Sequence, residues 1–194
     1  MTLRPLAAAM MLMLPMACAM AAPDEPETLP VMRWDHRPEA DIWTERVLTS
    51  LERHDERLAQ SVPHDIETWC PGYENAGLEE RRAFWAAMFS ALAKHESTWN
   101  PQAAGGGGKW IGLVQIDPRT ARGYGCAATT VSELKDGAAN LSCAVRIAAA
   151  QVPRDNMVAG NGRQGLGRDW APFRSASKRA EMAEWVRSQD YCRG

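Results

Sequence analysis

The chain has 194 residues, 22 of them basic and 24 acidic, a formal net charge of −2 and 45% hydrophobic residues, enough to bury one globular core. Both signs of charge are interspersed along its length, which excludes the basic footprint of a nucleic-acid binder. The number and spacing of the cysteines exclude a zinc site, because no C-x-x-C pair is present.

At the N-terminus Arg4 precedes an apolar stretch over residues 6–22, broken by Pro15 and followed by Pro23-Asp24-Glu25-Pro26. A positive start, a short apolar run and the small-x-small pattern Ala19-Met20-Ala21 are the marks of a secretory signal peptide, expected over residues 1–22. Acylation of Cys18 is the rival reading, but Pro15 stands where a lipid-attachment signal normally carries leucine. The processed chain is expected in the periplasm or outside the cell. Removal of the leader leaves Cys70, Cys126, Cys143 and Cys192, and four cysteines in an exported protein point to two disulfides. Three connectivities are open; the short separation of Cys126 and Cys143 favours that pair, with Cys70 and Cys192 tying the ends of the domain together.

Residues 23–40, with Pro23, Pro26, Pro30 and Pro38 among acidic residues, read as an extended linker ahead of a single domain at 41–194. Trp43, Val47, Leu51 and Leu58 predict an amphipathic helix over 41–60 with Asp41 as its cap. A turn at 69–73 leads to a second helix over 79–95, whose Phe84, Trp85, Met88, Phe89 and Leu92 make it the candidate central helix. Glu96 stands at its end, before Trp99-Asn100-Pro101. Gly105-Gly106-Gly107-Gly108 demands a mobile or tightly turning loop, residues 110–116 read as extended, and Asp117-Pro118 caps a short helix to about residue 122. Two further helices are predicted over 136–152, ended by Pro153, and over 177–189. The class is mainly α, a lysozyme-like (α+β) single domain with a small extended region and two disulfides.

Chemistry concentrates in residues 91–120. A carboxyl group at the end of an apolar helix, followed by aromatic residues, resists ionisation and can donate a proton to a leaving-group oxygen near neutral pH. Glu96-Ser97, then Asn100-Pro101, then Gly112-Leu113-x-Gln115-Ile116-x-Pro118-x-Thr120-Ala121 resembles the soluble lytic transglycosylase (SLT) domain of the lysozyme-like superfamily. Further likeness lies in the turn Trp69 to Tyr73, in Phe84-Trp85, in Gly123 to Cys126 and in Asn140 to Ile147, so that it spans residues 69–174.

The resemblance implies that Glu96 is the catalytic acid/base and that Ser97 helps to orient it. It also implies that Gly112, Leu113 and Gln115 line the groove for peptidoglycan glycan strands, with glycine admitting a sugar close to the backbone and Gln115 offering amide donors. The implied reaction cleaves the β-1,4 bond between N-acetylmuramic acid and N-acetylglucosamine and closes a 1,6-anhydro ring. The family's late tyrosine motif is not readable; residues 165–170 occupy that region, and Trp170, the aromatic residue nearest to it in sequence, is the candidate substrate contact there, with core packing as the alternative. No cofactor, nucleotide, nucleic acid or metal is implied, and a monomer is expected. Two alternatives stay open at this level: a hydrolytic, goose-lysozyme-like muramidase, which would need a second carboxylate from Asp117, Asp155 or Asp169, and a non-catalytic peptidoglycan-binding relative. A zinc-protease reading of His95-Glu96 fails because Trp99 occupies the place of the second histidine. The pairs His54-Asp55 and His64-Asp65 read as solvated faces.

Overall fold

The computed structural model describes residues 28–193; the expected leader at residues 1–22 and the start of the linker lie outside the described residues. The remainder of the linker differs from expectation. From Met32 onward it is packed: Met32 and Trp34 are buried, the Trp34 ring meets Trp43 edge-on at 5.8 Å, and its indole N–H donates to Thr44 Oγ1 at 2.9 Å. The prolines there restrict the chain without keeping it in solvent, and an indole between them has a large apolar area to lose from water.

Helix α1 (Ala40–Glu52) starts without a side-chain cap; Asp41 lies in its first turn and is not the cap. It also stops short of Gln60, because Asp55–Arg57 tightens into a 3-10 turn that carries Leu58 into the core. After α2 (Ile66–Trp69) comes α3 (Leu78–Ser97), 20 residues long. Every residue from Ala83 to Ala93 of α3 is buried, so this helix is enclosed on all sides, as a central core helix must be. Tyr73 closes its N-terminal end: Trp85 Nε1 donates to the phenol oxygen at 3.0 Å, and the phenol donates to the Leu58 carbonyl at 3.0 Å. Burial pushes Tyr73 up to about 12.

A minimal antiparallel sheet follows, β1 (Ala104–Gly105) against β2 (Trp110–Ile111), with Ala104 opposite Ile111 and Gly105 opposite Trp110. Gly106, Gly107 and Gly108 all take positive φ, and three such residues in succession are a turn that only glycine makes without strain. The extended segment ends at Ile111, not Ile116; the chain reverses and Ile116 bridges back to Ile111. Asp117 caps α4 (Pro118–Gly123) as expected, its carboxylate accepting from Arg119 N.

The short α5 (Val131–Leu134) carries a reciprocal capping box between Thr130 and Glu133. Asp136 caps α6 (Gly137–Asp155), and Pro153 sits inside this helix instead of ending it. In the last turn a proline removes one hydrogen bond only, which is a small loss beside the burial of Val152. Left-handed Asn156 ends the helix. Ser175 caps α7 (Ala176–Arg187). Helix α1 crosses α6 on one side of the core and α7 packs along α3 on another.

The disulfides are Cys70–Cys192 and Cys126–Cys143. Asp65, expected as part of a solvated face, is a clasp. Its carboxylate accepts from the backbone N–H groups of Val158, Ala159 and Gly160 at 2.6, 3.1 and 2.7 Å and from Trp69 Nε1 at 3.2 Å. The fold is therefore mainly helical, with one small hairpin and two disulfides.

Candidate active site

Helical spacing puts Phe89, Leu92, Ala93 and Glu96 on one face of α3. At the start of that stripe Phe89 meets the edge of Trp170 at 6.3 Å, and Trp170 Nε1 donates to the Val114 carbonyl at 2.8 Å. Glu96 thus stands two turns farther along a face that is flanked by the loop after β2 and by the segment before α7. It is half-buried. Burial pushes its carboxyl up to about 7, with the positive charge of Lys178 opposing the shift. No side chain among the described residues hydrogen-bonds to it or pairs with it. Its neighbours are spoken for: Lys94, His95 and Arg33 all converge on Glu181, whose carboxyl those contacts, Arg33 above all, hold far below the ordinary carboxylate range.

The chain turns sharply after the carboxylate. Thr98 and Trp99 both take left-handed φ, 52° and 55°, an uncommon conformation for side chains of their bulk. Local bonds hold them there: Thr98 N donates to the Lys94 carbonyl, Trp99 N to the Ala93 carbonyl, and Trp99 Nε1 to the Ser90 carbonyl at 3.0 Å. The result is an abrupt helix end one residue beyond Ser97.

The residues expected around Glu96 are each engaged with the protein itself. The Ser97 hydroxyl donates to the Leu113 carbonyl at 2.8 Å, which fastens the end of α3 to the loop after β2. Gly112 has protein where a side chain would go. Its φ is +81°, and a Cβ there would lie 2.2 Å from the Leu134 carbonyl oxygen and 2.4 Å from Asn140 Nδ2, so the glycine is required by protein packing.

Leu113 is buried in the core. Gln115 has its amide committed within the loop, donating to the Gly112 and Ala103 carbonyls at 2.9 and 3.4 Å while its oxygen accepts from Gly105 N at 3.0 Å. The side chain that holds this loop from below is Asn140 on α6. It accepts from Val114 N at 3.0 Å and donates to the Ile111 and Leu134 carbonyls at 2.9 and 3.0 Å.

Trp170 is buried, with its edge in the wall of a small cavity of about 70 Å³ that Trp110, Gln115, Asp117, Thr120 and Asp169 also line. Trp110 is 45% exposed beyond the glycine turn, with Lys109 Nζ over its ring 5.2 Å from the centroid.

The remaining carboxylates of interest are engaged. Asp117 caps α4 and bonds to Arg119, which lowers its pKa. Asp155 is bidentate to Arg168 and is lowered in turn. Asp169 accepts from Tyr124 at 3.2 Å and from Gln151 at 2.7 Å. Periodicity misses Lys178 and the Tyr124–Gln151–Asp169 cluster because each group joins segments distant in sequence. Among the described residues no group of three metal-ligating side chains converges.

Three comparisons bear on this geometry. Residues 75–161 match the family model described as the Transglycosylase SLT domain, a span that contains Glu96, Ser97, Gly112, Leu113 and Gln115 and ends before Trp170. Solved structures titled Bd0314 DslA are similar in fold. The wild-type form has a TM-score of 0.76 at 24% identity and a Glu-to-Gln mutant 0.76 at 23%, each alignment covering 86% of this chain and 100% of the other. No curated protein matches the sequence.

Proposed function

We propose that this protein is a peptidoglycan lytic transglycosylase with Glu96 as its single acid/base, a reading supported by the match of residues 75–161 to the Transglycosylase SLT domain model. The observation that carries the reading is the state of Glu96: half-buried, without a partner among the described residues, and poised at about 7. A carboxyl group in that state holds its proton in a large fraction of molecules at neutral pH and gives it up readily, which suits general acid and then general base.

In the proposed reaction the Glu96 proton passes to the glycosidic oxygen as the bond from the anomeric carbon of N-acetylmuramic acid breaks. The acetamido group of the same sugar supports the developing charge, as in substrate-assisted glycosidases. The sugar's 6-hydroxyl then bonds to the anomeric carbon and its proton returns to Glu96. No water is consumed and the carboxyl ends as it began. Lys178 favours the carboxylate that exists between the two transfers. Trp110, exposed beyond the glycine turn, offers a face on which a sugar ring can stack. Ser97, Gln115 and Asn140 act on the site by fixing the loop opposite Glu96.

A muramidase would need a free carboxylate to activate water, and Asp117, Asp155 and Asp169 are each bound elsewhere. The two disulfides favour an oxidising location, so action in the periplasm or after secretion is part of the proposal. The test is digestion of purified sacculi followed by mass spectrometry. Anhydromuropeptides are expected from the wild type and none from Glu96→Gln; products heavier by one water would identify a hydrolase, and undiminished release by the variant would overturn the role of Glu96.

A further inference from the structure

Where α1 packs against α6, a second concavity opens that Glu96 does not line. It has a volume of about 660 Å³, and Arg46, Arg53, His54, Asp136, Ser142 and Arg146 are among its walls. A neighbouring hollow continues it past His54 and Arg146 to Arg57. The chain as a whole is slightly acidic, so a groove rimmed by four arginines is a local concentration against the overall balance.

Three of those arginines are idle. Arg46, Arg53 and Arg57 are exposed and have no hydrogen-bond or ion-pair partner among the described residues, while Arg146 uses its Nε on the Tyr124 carbonyl and keeps its terminal nitrogens free. Of the acidic residues, Asp136 in the wall is occupied in capping α6, and Glu52, Asp55 and Glu56 share an adjoining hollow with Arg53, His54 and Arg57, Asp55 being paired with Arg82. On the floor, Ser50 donates its one proton to the Arg46 carbonyl at 2.8 Å and its oxygen accepts from the Ser142 hydroxyl at 3.0 Å. Arg146, Arg57 and Arg53 crowd His54 closely enough that their charges add to burial in lowering its pKa.

Surface arginines without partners in a concave site are suited to oxyanions, which their planar fork binds through paired hydrogen bonds. Arg46 and Arg53 lie seven residues apart on one helix face, about 10 Å along the axis, and an extended peptide spans about 10 Å in three residues. We infer that this α1/α6 groove is a binding site for a short carboxylate-bearing peptide, and, resting on the proposed function, that its occupant is the free stem peptide of peptidoglycan. The groove's depth favours a single strand over a flat lipid surface, since the floor lies between the two helices.

The experiment uses the full folded protein and a glycan-free stem tetrapeptide, so it holds no glycosidic bond and is read independently of Glu96 chemistry. Titration of the peptide is followed through the imidazole proton resonances of His54, with His36, His64 and His95 as internal references. Saturable movement confined to His54 is expected, with an upward shift of its titration midpoint as carboxylates screen the arginines. The double variant Arg46→Glu with Arg53→Glu should bind at least tenfold more weakly at unchanged thermal stability, because neither side chain makes a structural contact. The same peptide with its carboxylates amidated should not bind. Absence of saturation, equal binding of the amidated peptide, indifference to the double variant, or a response of His54 to phosphatidylglycerol vesicles alone would each overturn the assignment.

Discussion

Replacing Glu96 by glutamine preserves its shape and removes its titration, which makes the energetic consequence of its burial measurable. In the unfolded chain the carboxyl titrates near 4.5 and in the native protein at about 7. Between those values the native state holds a proton that the unfolded chain has released, so native stability falls as pH rises across the window and levels off above about 7. The gap corresponds to about 3 kcal/mol, an upper figure because part of the carboxyl meets water. For a domain of this size that is a melting-temperature change of roughly 6–12 °C. Thermal or urea unfolding at pH 4 and pH 8 of wild type and Glu96→Gln should show the variant gaining on the wild type by about that amount at the higher pH. Parallel pH profiles for the two proteins would refute the claim that burial governs this carboxyl. The same titration should impose the alkaline limb on kcat/KM, with activity declining above about pH 7 as the proton donor is lost.

Trp110→Ala should raise KM for glycan strands by about tenfold, the loss of one stacking contact worth about 1 kcal/mol or slightly more, with little change in melting temperature since the ring is 45% exposed; steady-state kinetics on soluble glycan fragments would check it. Asn140→Ala leaves the Val114 N–H and the Leu134 carbonyl without their side-chain partner, while the Ile111 carbonyl keeps Ile116 N, and should cost about 2 kcal/mol or more, measured by urea unfolding, together with most of the activity. Of the two disulfides, Cys70–Cys192 closes 122 residues and Cys126–Cys143 closes 17. Serine replacement of the first pair should destabilise by about 5 kcal/mol and of the second by about 3 kcal/mol, an order that differential scanning calorimetry would reveal.

Much of the helical frame is legible in the sequence because its signals are local. The apolar run of α3 and the Asp117-Pro118 start each act within one or two turns of chain. Misreadings arise where a distant partner decides. Trp34 lies among prolines yet is drawn into the core by Thr44 and Ser90. Pro153 lies within the last turn of α6, next to buried Val152, and Asp65 belongs to a loop more than ninety residues away.

At the candidate site, chemistry alone does not separate a group that meets ligand from one that builds the wall. Gln115 and Ser97 have the polar atoms a sugar would want, and the fold spends those atoms on the loop opposite Glu96. What marks Glu96 apart is that nothing else in the described fold uses it.

The bond between Cys70 and Cys192, the Gly72 N–H donated to the Cys192 carbonyl and the Tyr191 hydroxyl donated to the Val31 carbonyl gather both ends of the folded domain at one place. Thr28, Leu29, Asp190 and Tyr191 share a groove there with Glu79, Glu80 and Ala83 at the start of α3, whereas Glu96 stands at the other end of the same helix, roughly 20 Å away by helical rise. For anyone immobilising or fusing this protein, that arrangement sets a polarity. A tether fixed at either end of the described domain leaves from the pole opposite Glu96 and holds the molecule with that residue facing away from the support.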